Sequence, residues 1–191
     1  MLPWAHAATG YILYALYTRR RYGHHPVGFA VLAAGFGTQI PDLIDKPLTW
    51  TLPVLPYGRS LAHSAITLVV VLTVLWIKFS YADQRQLTVA FGLGYASHLF
   101  GDAVGPVLNG DWLALGYLLW PVTPVPEPHT ESFLSFLTAL DPTPLMLAGS
   151  ITTVAGISLW ASHGYPGVAD LLRDPHPDPE TGTETDPGRV K

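Results

Sequence analysis

The feature that most constrains the fold of this chain is a run of apolar residues long enough to cross a lipid bilayer. Leu61–Tyr81 has 21 residues and carries a single charge, Lys78, near its end. A helix needs about 20 apolar residues to span the hydrocarbon core, and a terminal lysine reaches the interface with its long side chain. Pro144–Ser162 is a second such run, without any charge. The sequence therefore predicts an integral membrane protein.

Three further segments are apolar but shorter or interrupted by polar residues, namely Leu2–Tyr17, Val27–Ile40 and Leu87–Asp102. Glycine and alanine in them suit close helix packing in lipid, so we expect them to be inner helices. Trp112–Val122 is too short to span and is expected to lie at the interface or to re-enter the membrane. The predicted fold class is an all-α polytopic transmembrane bundle of about five helices.

The composition supports this interpretation and excludes several function classes. Apolar residues make up 49% of the chain and charged residues 13%, whereas soluble domains carry about 25% charged residues. The absence of cysteine excludes disulfides, thiolate metal sites and cysteine nucleophiles. The net charge of −4 predicts no general attraction to nucleic acid or to anionic lipid.

The two ends of the chain differ from the apolar segments. Arg19, Arg20 and Arg21 follow the first apolar stretch instead of preceding it, so we do not expect a cleaved signal peptide. Residues 166–191 are rich in Pro, Asp, Glu and Thr, which predicts a disordered acidic tail. The expected organisation is a transmembrane helical domain at residues 1–165, followed by this tail.

The basic residues predict an orientation in the membrane, because cytoplasmic loops are enriched in lysine and arginine. With five spans and the N-terminus outside, only Lys46 and Arg59 of the 10 basic residues lie outside. The reverse orientation would invert this ratio. We therefore expect a multi-pass protein of the cell membrane with the N-terminus outside and the tail in the cytoplasm.

Histidines and aspartates lie at the outer ends of four of the five predicted helices. Their types suit a metal site, and nothing in the apolar pattern requires them to converge on one membrane face. His98 and Asp102 are four residues apart and share one helix face. The candidate metal ligands are His6, Asp42, Asp45, His63, His98 and Asp102.

The chemistry of zinc explains why these residue types would be grouped. Histidine nitrogen and carboxylate oxygen bind zinc, and catalytic sites keep one position open for water. The candidate set exceeds the need of one tetrahedral ion, so one or two zinc ions are expected, with manganese or iron as alternatives. Asp45 or Asp42 would act as general base or bridging ligand, and Arg59 would neutralise an anionic group.

Other interpretations of the polar residues remain open. The aspartates of PDLID could cap or end a helix, and His98 with Asp102 could be a buried hydrogen-bonded pair. His129 and Glu131, in a proline-rich loop, could lend a ligand or a general base, although a plain loop is favoured. The histidines with no expected ligand role are His24, His25, His163 and His176.

Five short motifs in a fixed order carry a resemblance to a known family. Over roughly residues 1–125 the chain resembles the membrane-bound metal-dependent hydrolases, the YdjM-like integral membrane proteins. The resemblance implies a metal-dependent hydrolase whose polar positions match the six candidate ligands, with Arg59 and Ser64 as candidate catalytic neighbours. A more distant similarity is to the helical zinc phospholipases C. The motifs are HAATG (6–10), PDLID (41–45), RSLAHS (59–64), HLFGD (98–102) and LLWP (118–121).

A metal-dependent hydrolase at the outer membrane–water interface is the function that these observations favour. A metal-activated water would attack a phosphoester or another ester of a small-molecule or lipid-like substrate. The expected partners are the lipid bilayer and this substrate, without nucleic acid. The alternatives are an ion or solute transporter, whose site would usually lie near the midplane, and a non-enzymatic scaffold with a structural metal site.

Overall fold

The computed structural model describes residues 2–79, 82–124 and 143–172, except the side chains of residues 82–84. Within these ranges the chain forms six α-helices and one 3-10 helix and has no β-strand, which confirms the all-α class. The elements are α1 (Pro3–Tyr22), α2 (Ala30–Trp50), α3 (Ala65–Lys78), α4 (Ala82–Leu108), η1 (Leu113–Leu119), α5 (Pro144–Ser162) and α6 (Val168–Leu172).

The five long helices run alternately up and down. His6 near the start of α1 lies beside Asp102 near the end of α4, so these two helices are antiparallel. His98 of α4 contacts the carbonyl oxygen of Thr38 in α2, whose later residue Asp42 also faces α4, so α2 and α4 are parallel. We call the end with these histidines and aspartates the His–Asp end. The opposite end, the basic end, carries Arg19, Arg20, Arg21, Lys78 and Arg85.

Among the described residues, one helix is long and apolar enough to cross a membrane. This is α5, with 19 residues and a mean hydropathy of 1.5 over its most apolar window. Helix α3 is equally free of internal charge but has only 14 residues, which is about 21 Å of helix. The number of membrane passes beyond α5 therefore stays a prediction.

The helix bounds differ from the sequence prediction at several points. Helix α2 does not stop before Pro41 but continues through it and through Pro47. A proline removes one backbone hydrogen bond, and a helix continues past it where packing against neighbours holds the backbone. Helix α3 begins at Ala65, so His63 lies in the preceding loop and not in the helix.

Small residues allow the helices to approach closely, as expected for inner helices in lipid. A Cβ atom at Gly94 of α4 would overlap the backbone oxygen of Ala34 in α2. Gly37 of α2 lies equally close to the backbone of Phe91 in α4. On the other side, Gly156 of α5 packs against Ala8 of α1. The contacts of Gly94 and Gly37 bring α2 and α4 together about one helical turn from His98 and Asp42.

The first residues of the predicted tail lie against the helices. The Trp160 indole donates a hydrogen bond to the Pro166 carbonyl oxygen at 3.0 Å. The Gly28 N–H donates to an Asp170 carboxylate oxygen at 2.8 Å. Residues 173–191 are outside the described part of the chain, so the disordered tail stays a prediction. His129 and Glu131 also lie outside the described residues.

Candidate metal centre

The six candidate ligands come together at the His–Asp end. They are supplied by α1, α2, α4 and the loop that joins α2 to α3, at residues 51–64. All are buried except Asp42, whose side chain is 12% exposed. The closely packed helices therefore place polar groups from distant parts of the sequence in one buried cluster.

Two histidines face each other at the centre of this cluster. The Nε2 atoms of His63 and His98 are 3.1 Å apart. The Nδ1 atom of His98 is 2.7 Å from the Thr38 carbonyl oxygen, which can only accept, so this Nδ1 carries the proton. The Nδ1 atom of His63 is likewise 2.9 Å from a carboxylate oxygen of Asp45. In neutral rings both Nε2 lone pairs would point at each other, which requires a cation between them.

Carboxylate oxygens surround these two nitrogens. Asp42 Oδ1 is 3.5 Å from His63 Nε2 and 3.8 Å from His98 Nε2. Asp102 Oδ2 is 3.6 Å from His63 Nε2 and 3.8 Å from His98 Nε2. The donors thus converge on a common point from α2, α4 and the loop at residues 51–64.

His6 adds a third ring to the cluster. It stacks on His98 with ring centroids 3.9 Å apart, and it is 1% exposed. Its Nε2 atom is 3.2 Å from Asp102 Oδ1, but neither ring nitrogen makes a hydrogen bond with suitable geometry among the described residues. A buried polar atom without a partner is costly, so the Nε2 atom is suited to an additional ligand such as a metal ion.

Positive side chains lie on the exposed side of the cluster. The Arg59 Nε–H donates to Asp102 Oδ2 at 2.9 Å, and the Arg59 side chain is 36% exposed. Lys46 donates to Asp42 Oδ2 at 2.7 Å. Burial opposes the charge on His63, yet the nearby carboxylates raise the pKa of this loop histidine to about 10. Without another cation, a proton therefore occupies the space between the facing nitrogens.

Asp45 is placed behind His63 and not at the point of convergence. Its two oxygens accept hydrogen bonds from the backbone N–H groups of Ser60 at 2.9 Å, Ala62 at 2.8 Å and His63 at 3.2 Å. They also accept the Nδ1 proton of His63. A carboxylate that orients a ligand histidine in this way is common around metals in proteins. This arrangement leaves Asp45 little capacity for the predicted roles of bridging ligand or general base.

The Ser64 hydroxyl makes its hydrogen bonds with backbone groups outside the six candidate ligands. Its hydroxyl caps α3 by accepting from the Ile66 N–H at 3.1 Å. It donates to the Trp120 carbonyl oxygen at 2.7 Å. These two contacts explain the residue structurally, without the catalytic role that the sequence prediction gives it.

Two contributors to the site were missed by the sequence interpretation. The Thr38 carbonyl oxygen orients His98, and a backbone group gives no sequence pattern. Lys46 pairs with Asp42, and its spacing of four residues on a helix could have indicated this contact. The Tyr117 ring of η1 meets the edge of His63 with centroids 6.2 Å apart.

The donors form two overlapping groups within the described residues. His6, His98 and Asp102 form one, and Asp42, His63 and His98 form the other, with donor atoms no more than 4.8 Å apart in each. Both groups include His98, whose Nδ1 atom is already held by Thr38. Since one imidazole nitrogen binds one ion, the two groups cannot each use His98 at the same time.

The described part of the chain is helical, includes one apolar helix of membrane-spanning length, and carries a buried histidine–aspartate cluster whose groups could hold a metal. The sequence model of the YdjM inner membrane protein family matches residues 1–167, and the chain belongs to this family. Membership confirms the predicted resemblance to YdjM-like proteins and the membrane location, whereas hydrolase activity, metal dependence and the similarity to phospholipases C stay predictions. No curated protein and no solved structure matches the chain significantly.

Proposed function

We propose that this protein is a metal-dependent hydrolase that acts on a phosphoester at the membrane–water interface. The observation that carries the proposal is the pair of facing Nε2 atoms of His63 and His98, 3.1 Å apart and surrounded by carboxylate oxygens. A group of acceptors this deeply buried requires a positive charge. A divalent metal ion meets this need with the donor types that zinc, manganese and iron accept.

The donor set fits a single ion better than two. The ligands would be His63, His98, Asp42 and Asp102, with His6 close to Asp102 as a further donor. A second ion would have to share the carboxylates, because His98 offers only one free nitrogen. Zinc is the first candidate because three histidines contribute, and a bound ion would supply Lewis-acid polarisation and lower the pKa of a water molecule.

The protein's own residues have distinct roles in this proposal. Asp45 and the Thr38 carbonyl oxygen hold the two central rings in the tautomers that leave Nε2 free. Asp42, which is partly exposed, is better placed than Asp45 to accept a proton from an incoming water. Arg59 would bind the anionic oxygens of the substrate and stabilise the charge that develops during hydrolysis.

A phosphoester with an apolar part is the substrate class that the surroundings favour. Arg59 and Lys46 place two partly exposed positive side chains beside a buried acidic cluster. Planar guanidinium groups match phosphate oxygens well. Because His6 lies near the start of α1 and His63 just before α3, the cluster lies toward one end of the bundle, where a substrate held at headgroup depth would reach it from the bilayer. We also propose that this end faces the outside of the membrane.

A structural metal site in a non-enzymatic scaffold is the second candidate, and the deep burial of the ligands favours it. A transporter is less favoured, because His6 near the start of α1 and His63 just before α3 place the cluster toward one end of the bundle, whereas transporter sites usually lie near the midplane. The hydrolase and the structural scaffold predict the same metal binding, but only the hydrolase predicts turnover of a phosphoester.

The test combines metal content with activity of the full chain purified in detergent. We expect zinc to co-purify and to stimulate hydrolysis of bis(p-nitrophenyl) phosphate or of a phosphatidic acid. His98→Ala and Asp42→Ala should lose both properties, whereas His24→Ala, an exposed histidine at the other end, should keep them. A folded wild type that binds no metal contradicts the proposal. Bound metal without any turnover on the panel supports the scaffold instead.

A further inference from the structure

A groove on the far side of α1 from His6 is lined almost entirely by apolar side chains. It lies between α1, α2 and α5 and has a volume of about 400 Å³. It begins at Trp4 near the His–Asp end and reaches Trp160 near the basic end, a helical rise of about 10 Å along α1. Its other main lining residues are Ala8, Tyr11, Leu32, Phe36 and Ile157.

Polar groups lie next to the groove near Trp160. The Tyr11 hydroxyl lies in the groove and is hydrogen-bonded to His163 Nδ1 at 2.7 Å. His25 stacks on His163 with ring centroids 5.1 Å apart. Arg19 lies two helical turns beyond Tyr11 on the same face of α1. Tyr11 thus connects the apolar groove to a group of two histidines and an arginine.

Within this group, Arg19 carries the permanent positive charge and the two histidines supply imidazole rings. Burial and then the neighbours His25 and Arg19 lower the pKa of His163, which lies just beyond α5. Asp170 of α6 is on the same side of the molecule, and its Oδ2 atom accepts from the Gly28 and Gly167 N–H groups. An anion placed beside Arg19 would pair with the guanidinium group and accept a hydrogen bond from an imidazole N–H group of the two histidines.

We propose that this groove binds an anionic phospholipid, with one acyl chain between α1, α2 and α5 and the phosphate beside Arg19, His25 and His163. The apolar lining suits a hydrocarbon chain, and basic pockets between membrane helices recognise anionic headgroups. The overall charge of −4 makes general attraction to such lipids weak, so the preference has to come from this local group. The site is separate from the candidate metal centre and does not depend on it.

Native mass spectrometry of the full chain measures this binding directly. The probes are phosphatidylglycerol and phosphatidylcholine with identical acyl chains, added to the detergent-purified protein. We expect at least one phosphatidylglycerol to be retained at a several-fold lower concentration than phosphatidylcholine. Glycerol phosphate, which has no acyl chain, should not compete. Equal retention of the two lipids, or full displacement by glycerol phosphate, overturns the proposal.

Two substitutions with matched controls locate the binding. Gly35 lines the groove, and a Cβ atom added there meets nothing within 4 Å. The phenyl ring of Gly35→Phe should therefore fill the groove and abolish lipid retention. Val74→Phe adds the same bulk on an exposed face of α3 and should have no effect. Arg19→Gln should weaken phosphatidylglycerol binding about fivefold, whereas Arg20→Gln, on a different face of α1, should not.

The metal content of each variant serves as an internal check on folding and on the other site. If the candidate metal centre binds zinc in the wild type, all four variants should bind the same amount. If the wild type binds no zinc, unchanged helicity of the four variants reports on folding instead. Lipid retention that survives Gly35→Phe, or that falls equally with Arg19→Gln and Arg20→Gln, contradicts binding at this groove. Neither outcome would bear on metal-dependent hydrolysis.

Discussion

At the scale of single residues, Asp45 explains how a loop can hold a ligand accurately. One carboxylate accepts three backbone N–H groups from residues 60–63 and the ring proton of His63. Because the loop is organised around this buried acceptor, His63 is oriented before any metal binds. Such partners behind a ligand typically contribute 10–100-fold to metal affinity.

Replacing Asp45 by asparagine tests this role. Asp45→Asn keeps the size of the side chain but presents an NH₂ group to donors that need an acceptor. We expect zinc affinity to fall about 10–100-fold, measured by competition with a chromophoric chelator. Asp111→Asn is the control, since Asp111 also accepts a backbone N–H, from Ala114, but in an exposed loop. Unchanged affinity in Asp45→Asn would show that His63 does not need its carboxylate partner.

The same scale shows what sequence reasoning can and cannot supply. Spacing and helix ends were enough to select the six residues that the structure brings together. They could not separate Asp42, which reaches the point of convergence, from Asp45, which faces the loop. That difference depends on the path of the backbone through residues 51–64, and local residue preferences do not determine such a path.

At the scale of helices, the contact between α2 and α4 sets the position of most ligands. Gly94 and Ala34 touch backbone to backbone, so there is no room for a side chain at position 94. Asp42 and His98 lie further along the same two helices. Any increase in the distance between α2 and α4 therefore separates the donors as well.

Adding one methyl group at this contact should be costly. We expect Gly94→Ala to destabilise the protein by about 1–3 kcal/mol, as overpacking of a close contact does, and to weaken metal binding. Gly35→Ala places the same group in open space on α2 and should be neutral or stabilising, because alanine favours helix. Thermal unfolding in detergent measures both. Equal midpoints for the two variants would contradict close packing of α2 against α4.

Ser64 allows a structural role to be separated from a chemical one. Ser64→Ala removes the cap of α3 and the hydrogen bond to Trp120, so we expect a loss of about 1 kcal/mol in stability. Turnover of a phosphoester should stay close to that of the wild type. Thr143→Ala removes the corresponding cap of α5 and calibrates the stability effect. Loss of turnover in a folded Ser64→Ala protein would instead support the catalytic role predicted from sequence.

The helices themselves were predictable to different degrees. The bounds of α5 were predicted correctly, because a proline after a capping threonine and a long uncharged run mark its start and extent. The predicted end of α2 was wrong. A proline such as Pro41 usually ends a helix, but here it lies within α2, which packs closely against its neighbours. The start of α3 was wrong as well, because the loop at residues 51–64 is shaped by Asp45 and not by hydropathy.

At the scale of the whole molecule, alternation of helix direction is what creates the site. Helices α1, α3 and α5 begin at the end where α2 and α4 finish. Residues separated by almost 100 positions, such as His6 and Asp102, therefore meet. The same alternation collects Arg19, Lys78 and Arg85 at the other end. The charge asymmetry that predicted the orientation is thus a property of the folded molecule as well as of the sequence.

This asymmetry leads to a direct test of the orientation and of multiple passes. The chain has no cysteine, so a single introduced cysteine is the only thiol that a maleimide can label. We expect Lys46→Cys to react with an impermeant maleimide in intact spheroplasts, and Arg20→Cys to react only after lysis. Val154→Cys, within α5, should stay unlabelled under both conditions and reports on background.

Each labelling pattern has a separate consequence for the mechanism. Labelling of both Lys46→Cys and Arg20→Cys from outside would contradict a bundle that crosses the membrane between them. Labelling of Arg20→Cys alone would keep the crossing but turn the candidate metal centre toward the cytoplasm. The substrate would then have to be a cytoplasmic phosphoester or a lipid of the inner leaflet. With the expected pattern, Arg59 and Lys46 lie on the outer side of the membrane. There each positive side chain is paired with a carboxylate of the cluster, which lowers the cost of placing its charge near the bilayer.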